Sequence, residues 1–149
     1  MPGADPVAGG AAVAYEHRAE IDDLLNRYAH AYDDRDAAGV GATFAEDGEL
    51  SLTIAGGDLV GPFVGREAII AMMTGALAGQ DDQRRHVAST LALDACDGTA
   101  AEARSYLTLV TIVDGALSVV STARYSDRLR RVDGRWLLAR RHIALDLPY

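Results

Sequence analysis

Between residues 16 and 34 the apolar positions Ile21, Leu24, Leu25, Tyr28 and Tyr32 recur at i, i+3, i+4, i+7 and i+11. This single stripe of 3.6-residue period predicts an amphipathic helix. At about 100° per residue, His30 points away from the stripe and Asp33 lies at its edge. Asp36 is placed to cap a short second helix over 37–44, and Glu46-Asp47-Gly48 reads as a turn into an extended segment over 49–54. Gly56-Gly57 and Gly61-Pro62 punctuate the stretch that follows. Ala68, Ile69, Met72, Met73 and Leu77 then predict a third helix over 66–78, stopped by Gly79.

Beyond residue 83 the pattern changes period. Four strand-like runs, over 84–93, 100–113, 116–131 and 135–147, are separated by Asp97-Gly98, Asp114-Gly115 and Asp133-Gly134, the dipeptide that favours tight hairpin turns. Helices first and an antiparallel meander afterwards predict an α+β domain with helices packed on one face of a curved sheet. Several strands are apolar or small on both faces: Leu107 and Leu109 on one side, Tyr106, Val110 and Ile112 on the other. A sheet covered on one side only is expected to be polar on the other. The excess therefore predicts a homodimer formed through the open sheet face.

Composition narrows the picture. The 149 residues suit one domain, and residues 1–14, nearly all Ala, Gly, Pro and Val, read as a loose tail ahead of a domain over 15–149. The net charge of −8 argues against nucleic acid as a partner. No apolar run approaches the ~18–20 residues of a membrane span. A single cysteine, Cys96, cannot form an internal disulfide, and nothing at the start reads as a secretion signal, so the expected address is a reducing cytoplasm. No phosphate loop, nucleophile elbow or zinc-ligand spacing occurs, and no metal or cofactor is expected.

The segments Tyr28-Ala-His-Ala-Tyr-Asp-Asp-Arg-Asp36, Phe44-Ala-Glu-Asp-Gly48, Gly65-Arg-Glu-Ala68, Arg85-His-Val87 and Val132-Asp-Gly-Arg-Trp136, in this order and spacing, resemble the SnoaL-like group of the nuclear transport factor 2-like superfamily. The resemblance covers about residues 15 to 147. It implies a cone of three helices and a strongly curved, mostly antiparallel sheet around a deep pocket, commonly in a dimer. The superfamily includes scytalone dehydratase, polyketide cyclases and ketosteroid isomerase, so the fold does not fix the reaction. Tyr28, Tyr32, Asp33 and His86 are most similar to the scytalone dehydratase pattern, in which a helix supplies an aromatic, a tyrosine and an aspartate and a strand supplies a catalytic histidine. Where that enzyme has a second pocket histidine the sequence has Thr111. Where it has a serine and an asparagine on the next strand, the sequence has Ala123 and Tyr125.

Histidine suits proton transfer because both of its forms are populated near neutrality. His86 opens a strand whose face continues through Ala88 and Thr90. It reads either as a proton carrier in the cone or as a strand-edge residue bonded to backbone or water. Tyr28 and Tyr32, one turn apart, can pack their rings and offer hydroxyls to a substrate oxygen. The resemblance implies that Asp33 orients His86, that His142 is a second proton-transfer residue, and that Tyr28, Thr111, Ala123 and Tyr125 line the substrate site. Alternation puts His142 on the face of Trp136, Leu138 and Ala144, with Leu137, Ala139, Ile143 and Leu145 an equally apolar alternative. Arg104 and Arg124 read as rim or interface ion pairs, and His17 and His30 as non-functional. Taken together, these readings describe a cofactor-independent acid/base cyclase or dehydratase acting on a small, hydrophobic, polyketide-like carbonyl or phenol. A ketosteroid-isomerase-like isomerase and a non-catalytic small-molecule-binding module are the alternatives.

Overall fold

A computed structural model describes the backbone of residues 6–149 and the side chains from Tyr15 onward. Helix α1 (Pro6–Asp33) is followed by α2 (Ala37–Ala42), β1 (Phe44–Ile54), β2 (Val60–Val64) and α3 (Arg66–Ala78). Then come β3 (Gln83–Cys96), β4 (Ala100–Val113), β5 (Ala116–Val132) and β6 (Arg135–Leu145). The architecture is mixed α+β, as the pattern predicts. The six strands form one curved sheet in the order β2-β1-β6-β5-β4-β3, antiparallel throughout except for the parallel β1–β6 pair. The sheet is not closed: β2 and β3 remain its edges.

The predicted stripe of α1 is the one buried: Ile21, Leu24, Leu25, Tyr28 and Tyr32 all join the core, together with Phe44 and Leu50 of β1, Ile69 and Met73 of α3, and Leu129 and Leu138 of the meander. Each such large apolar side chain contributes roughly 1.5–3 kcal/mol by leaving water. The helix starts at Pro6 rather than near Glu16, so the segment read as a tail over 1–14 overlaps it; the first five residues lie outside those described. Ala-rich sequence extends a helix readily once packing elsewhere has nucleated it.

At its other end α1 closes with backbone bonds from Asp34 to His30 (2.9 Å) and from Asp36 to Ala31 (2.8 Å). Arg35 takes a positive φ of 60° at the corner, and Asp36 caps α2 by accepting from the Gly39 N–H at 2.9 Å. Two elements depart from expectation. Residues 46–48 form part of a bulge within a longer β1 instead of a turn before it, since the four residues between Phe44 and Glu49 stand against Ala139 alone on β6. Strand β2 carries Gly61-Pro62, which the sequence marks as loop; it is tolerated because β2 is an edge strand, where a missing N–H breaks no inner ladder.

Asp114-Gly115 and Asp133-Gly134 make two-residue hairpin turns with positive φ at both positions (49° and 77°; 51° and 77°), matching the twist of the flanking strands. The sheet's inner face receives α1 and α3. Its outer face leaves Val87, Tyr106 and Val119 about half or more exposed. Among the described residues, no helix is long and apolar enough to cross a membrane.

Candidate active site

The end of α1 and the start of β3 meet at one hydrogen-bonded carboxylate–imidazole pair. Asp33, the last residue of α1, places a carboxylate at the unfavourable end of the helix dipole. Three N–H contacts from β3 answer it. The backbone N–H of His86 donates to Oδ2 at 2.9 Å and, more weakly, to Oδ1 at 3.2 Å, and His86 Nδ1 lies 2.6 Å from Oδ1. Both side chains are nearly buried. A carboxylate at this distance holds the proton on Nδ1 and leaves Nε2 as the nitrogen available to a guest. The ring of Tyr32 lies beside the imidazole, centroids 4.3 Å apart.

The Tyr32 hydroxyl accepts from Gln80 Nε2 at 2.8 Å, so its own proton is free to be donated elsewhere. Gln80 is held in turn by Arg35, whose guanidinium donates to the carbonyls of Leu77, at 2.7 Å, and of Gln80 itself. The positive-φ corner after α1 thereby ties the end of α3 to the end of α1.

These groups open onto a cavity of about 270 Å³. Its walls are mainly apolar: Leu52 and Ile54 from β1, Met72 and Met73 from α3, Ile143 and Leu145 from β6. Polar character is confined to Tyr28, Tyr32, Gln80, His86, Tyr125 and Tyr149. A concave, mostly apolar chamber with a few convergent polar groups is the usual form of a small-molecule site.

Directly behind the wall lies a buried ion pair that sequence reading does not identify. Arg141 donates to both carboxylate oxygens of Asp127 through Nε and Nη2, each at 2.8 Å, and both side chains are inaccessible to solvent. The guanidinium sits 4.3 Å from the ring centroid of Tyr28 and 4.0 Å from that of Tyr125. Burial pushes the Tyr28 phenol up to about 12 against the opposing pull of Arg141, and burial likewise holds Tyr125 well above the ordinary tyrosine value. Both phenols therefore keep their protons at neutral pH.

Of the residues expected at the site, Tyr28, Tyr32, His86 and Tyr125 line the cavity, with Asp33 bonded behind His86. Three do not line it. His142 faces the outer side of the sheet, where Nδ1 meets Ser51 Oγ at 2.8 Å beside a shallow groove containing Asp94, Glu102, Arg104 and Arg140. The cause is a bulge: the register between β5 and β6 shifts from Leu129↔Leu138 to Arg128↔Arg140, making Ala139 an extra residue. Trp136 and Leu138 therefore point inward before the bulge and Arg141, Ile143 and Leu145 after it, which turns His142 outward.

Thr111 is buried opposite Arg84 but lies outside the cavity wall. Ala123 packs behind the wall in a small cluster with Leu107, Leu109, Tyr125 and Leu145. Arg104 makes an exposed ion pair with Asp94 at 2.6 Å, while His17 is a buried structural residue accepting from Trp136 Nε1 at 3.2 Å. A signal for Asp127–Arg141 does exist, since the Asp133-Gly134 hairpin brings the two close in register; only the bulge decides that Asp127 meets Arg141 and not Arg140.

The sequence profile of the SnoaL-like domain matches residues 13–142. Among solved structures, a Catenulispora acidiphila protein in complex with S-DNPA is 31% identical, with 89% of this chain and 95% of that chain covered and a TM-score of 0.77. Aln2 from a Streptomyces species is 28% identical over 88% of this chain and 91% of its own, TM-score 0.75. An NTF2-like protein with a cystatin-like fold from Novosphingobium aromaticivorans is 26% identical over 95% and 90%, TM-score 0.75. No curated protein matches the sequence.

Proposed function

The chain belongs to the SnoaL-like domain family, and from that premise we propose that it is an acid/base enzyme, a cyclase or dehydratase, acting on a small polyketide-like aromatic or carbonyl compound in secondary metabolism. The observation that carries this reading is the Asp33–His86 pair opening onto an apolar cavity. His86 Nε2 removes a proton from an activated C–H, or returns one to a departing hydroxyl, and Asp33 stabilises the imidazolium that forms. Tyr32 donates to the oxygen on which charge develops, with Gln80 holding the phenol oxygen in place. The apolar walls exclude competing water and hold a productive conformer, which is much of what a reactive polyketide requires. A chamber of about 270 Å³ suits a guest of one or two rings, and a 31% identical relative holds a small molecule, S-DNPA.

An isomerase using a free aspartate base is less well supported, because the Asp33 carboxylate is already engaged by His86. The apolar outer sheet face, with Val87, Tyr106 and Val119 exposed, supports a homodimer joined through it.

The test is turnover and product distribution with a pool of hydroxylated aromatic ketones, comparing wild type, His86→Ala and Asp33→Asn. Loss of the proton carrier is expected to lower kcat by about 10²–10⁴-fold. Unchanged turnover in both variants would overturn the dyad; retained binding with no turnover in wild type would favour a binding module.

A further inference from the structure

The cavity has a second polar region, assembled from residues that the proton-transfer dyad does not use. Tyr28 stands one turn before Tyr32 on α1, about 6 Å further from the helix end. Tyr125 stands on β5, separated from His86 of β3 by the intervening strand β4. The two rings are edge-to-face, centroids 6.3 Å apart, and the Arg141 guanidinium packs against both. Asp127 takes Nε and Nη2, while Nη1 is buried with no hydrogen-bond partner among the described residues.

A buried ion pair is a poor stabiliser compared with apolar side chains of similar volume, because desolvation offsets the mutual attraction. One placed behind two cavity-lining phenols, with a donor left over, is better explained by what it does to those phenols. We propose that Arg141, anchored by Asp127, is a positioning residue that holds Tyr28 and Tyr125 as a paired hydrogen-bond donor for a carbonyl or phenolic oxygen of the guest. The substrate class follows: a one- or two-ring compound with at least two oxygen functions, one facing His86 and Tyr32 and the other facing Tyr28 and Tyr125. Because both phenols remain protonated, this region donates and does not act as a base. The inference rests on the ligand-binding part of the function proposed above and is independent of whether His86 moves a proton.

The experiment uses acetophenone labelled with ¹³C at the carbonyl, bound to the full chain, and reads the C=O stretch by infrared difference spectroscopy. In wild type a single band is expected at lower wavenumber than in hexane. Tyr125→Phe moves it back toward the hexane position. So does the double variant Arg141→Met/Asp127→Leu, which removes both charges while keeping the volume and whose fold is checked by its melting temperature. His86→Ala leaves the band in place.

A band indifferent to both Tyr125→Phe and the folded double variant, or failure of acetophenone to bind, overturns the proposal. Should the double variant not fold, Tyr125→Phe alone decides. If His86→Ala abolishes turnover while the band ignores Tyr125→Phe, the second region fails and the dyad stands. If the band responds but His86→Ala turns over normally, the dyad fails and the second region stands.

Discussion

Asp33 shows why a residue that looks unfavourable in one dimension repays attention. A carboxylate at a helix C-terminus is disfavoured by a few tenths to ~1 kcal/mol when exposed, yet here it accepts from both the backbone and the ring of His86. That position is readable from the periodicity of α1; its partner is not, because 53 residues separate the two. Arg141 presents the opposite case. It is charged and flanked by Arg140 and His142, yet it is fully buried on Asp127. Arg141→Met alone leaves that carboxylate buried and unpaired, and should lower unfolding free energy in urea by about 3–5 kcal/mol. Adding Asp127→Leu should recover most of the loss.

Among the elements, the hairpins are where local chemistry and tertiary structure agree best. Asp97 accepts from the backbone N–H groups of Ala100 and Thr99 and from the Thr99 hydroxyl, all at 2.8 Å. These bonds, the Ala100 N–H first, lower its carboxyl to about 2. An unfolded aspartate titrates near ~3.9, so this stabilisation is fully present above about pH 4 and is lost as pH falls toward 2. Asp97→Asn should therefore flatten the acid limb of the stability–pH profile between about pH 4 and pH 2, measured by circular dichroism. The helices are equally legible, since Ile21, Leu24, Leu25, Tyr28 and Tyr32 all face the core. Strand β2 is not: Gly61-Pro62 argues locally against a strand, and only its place at the sheet edge removes the objection.

At the scale of the whole molecule, the α+β cone places its helices over one sheet face and leaves the other uncovered. Val87, Tyr106 and Val119 on that uncovered face are about half exposed or more. A stable dimer interface buries about 1,200–2,000 Å² in total, and in the proposed dimer the outer face would have to supply it. Light scattering after gel filtration should give twice the 15.8 kDa chain mass for wild type. Val119→Glu, which places a charge within the proposed contact, should shift the population toward the single chain without changing helix or strand content. A wild-type mass of one chain would remove the dimer from the account and leave the cavity untouched.

Local spacing writes the helical stripe that carries Tyr28 and Tyr32 and the strands joined by Asp-Gly turns, because each is set by positions closer together than the length of an element; that the two tyrosines border a cavity comes from the packing of α1 against α3 and the sheet. Tertiary structure decided everything that depends on register. Gln80 reaches Tyr32 because Arg35 ties two helix ends together across 45 residues. One additional residue at Ala139 turns His142 outward and brings Arg141 in to meet Asp127. The physical reason is that strand alternation has a period of two: a single inserted residue reverses every side chain beyond it, and whether the insertion is absorbed as a bulge is settled by which face the rest of the core can bury.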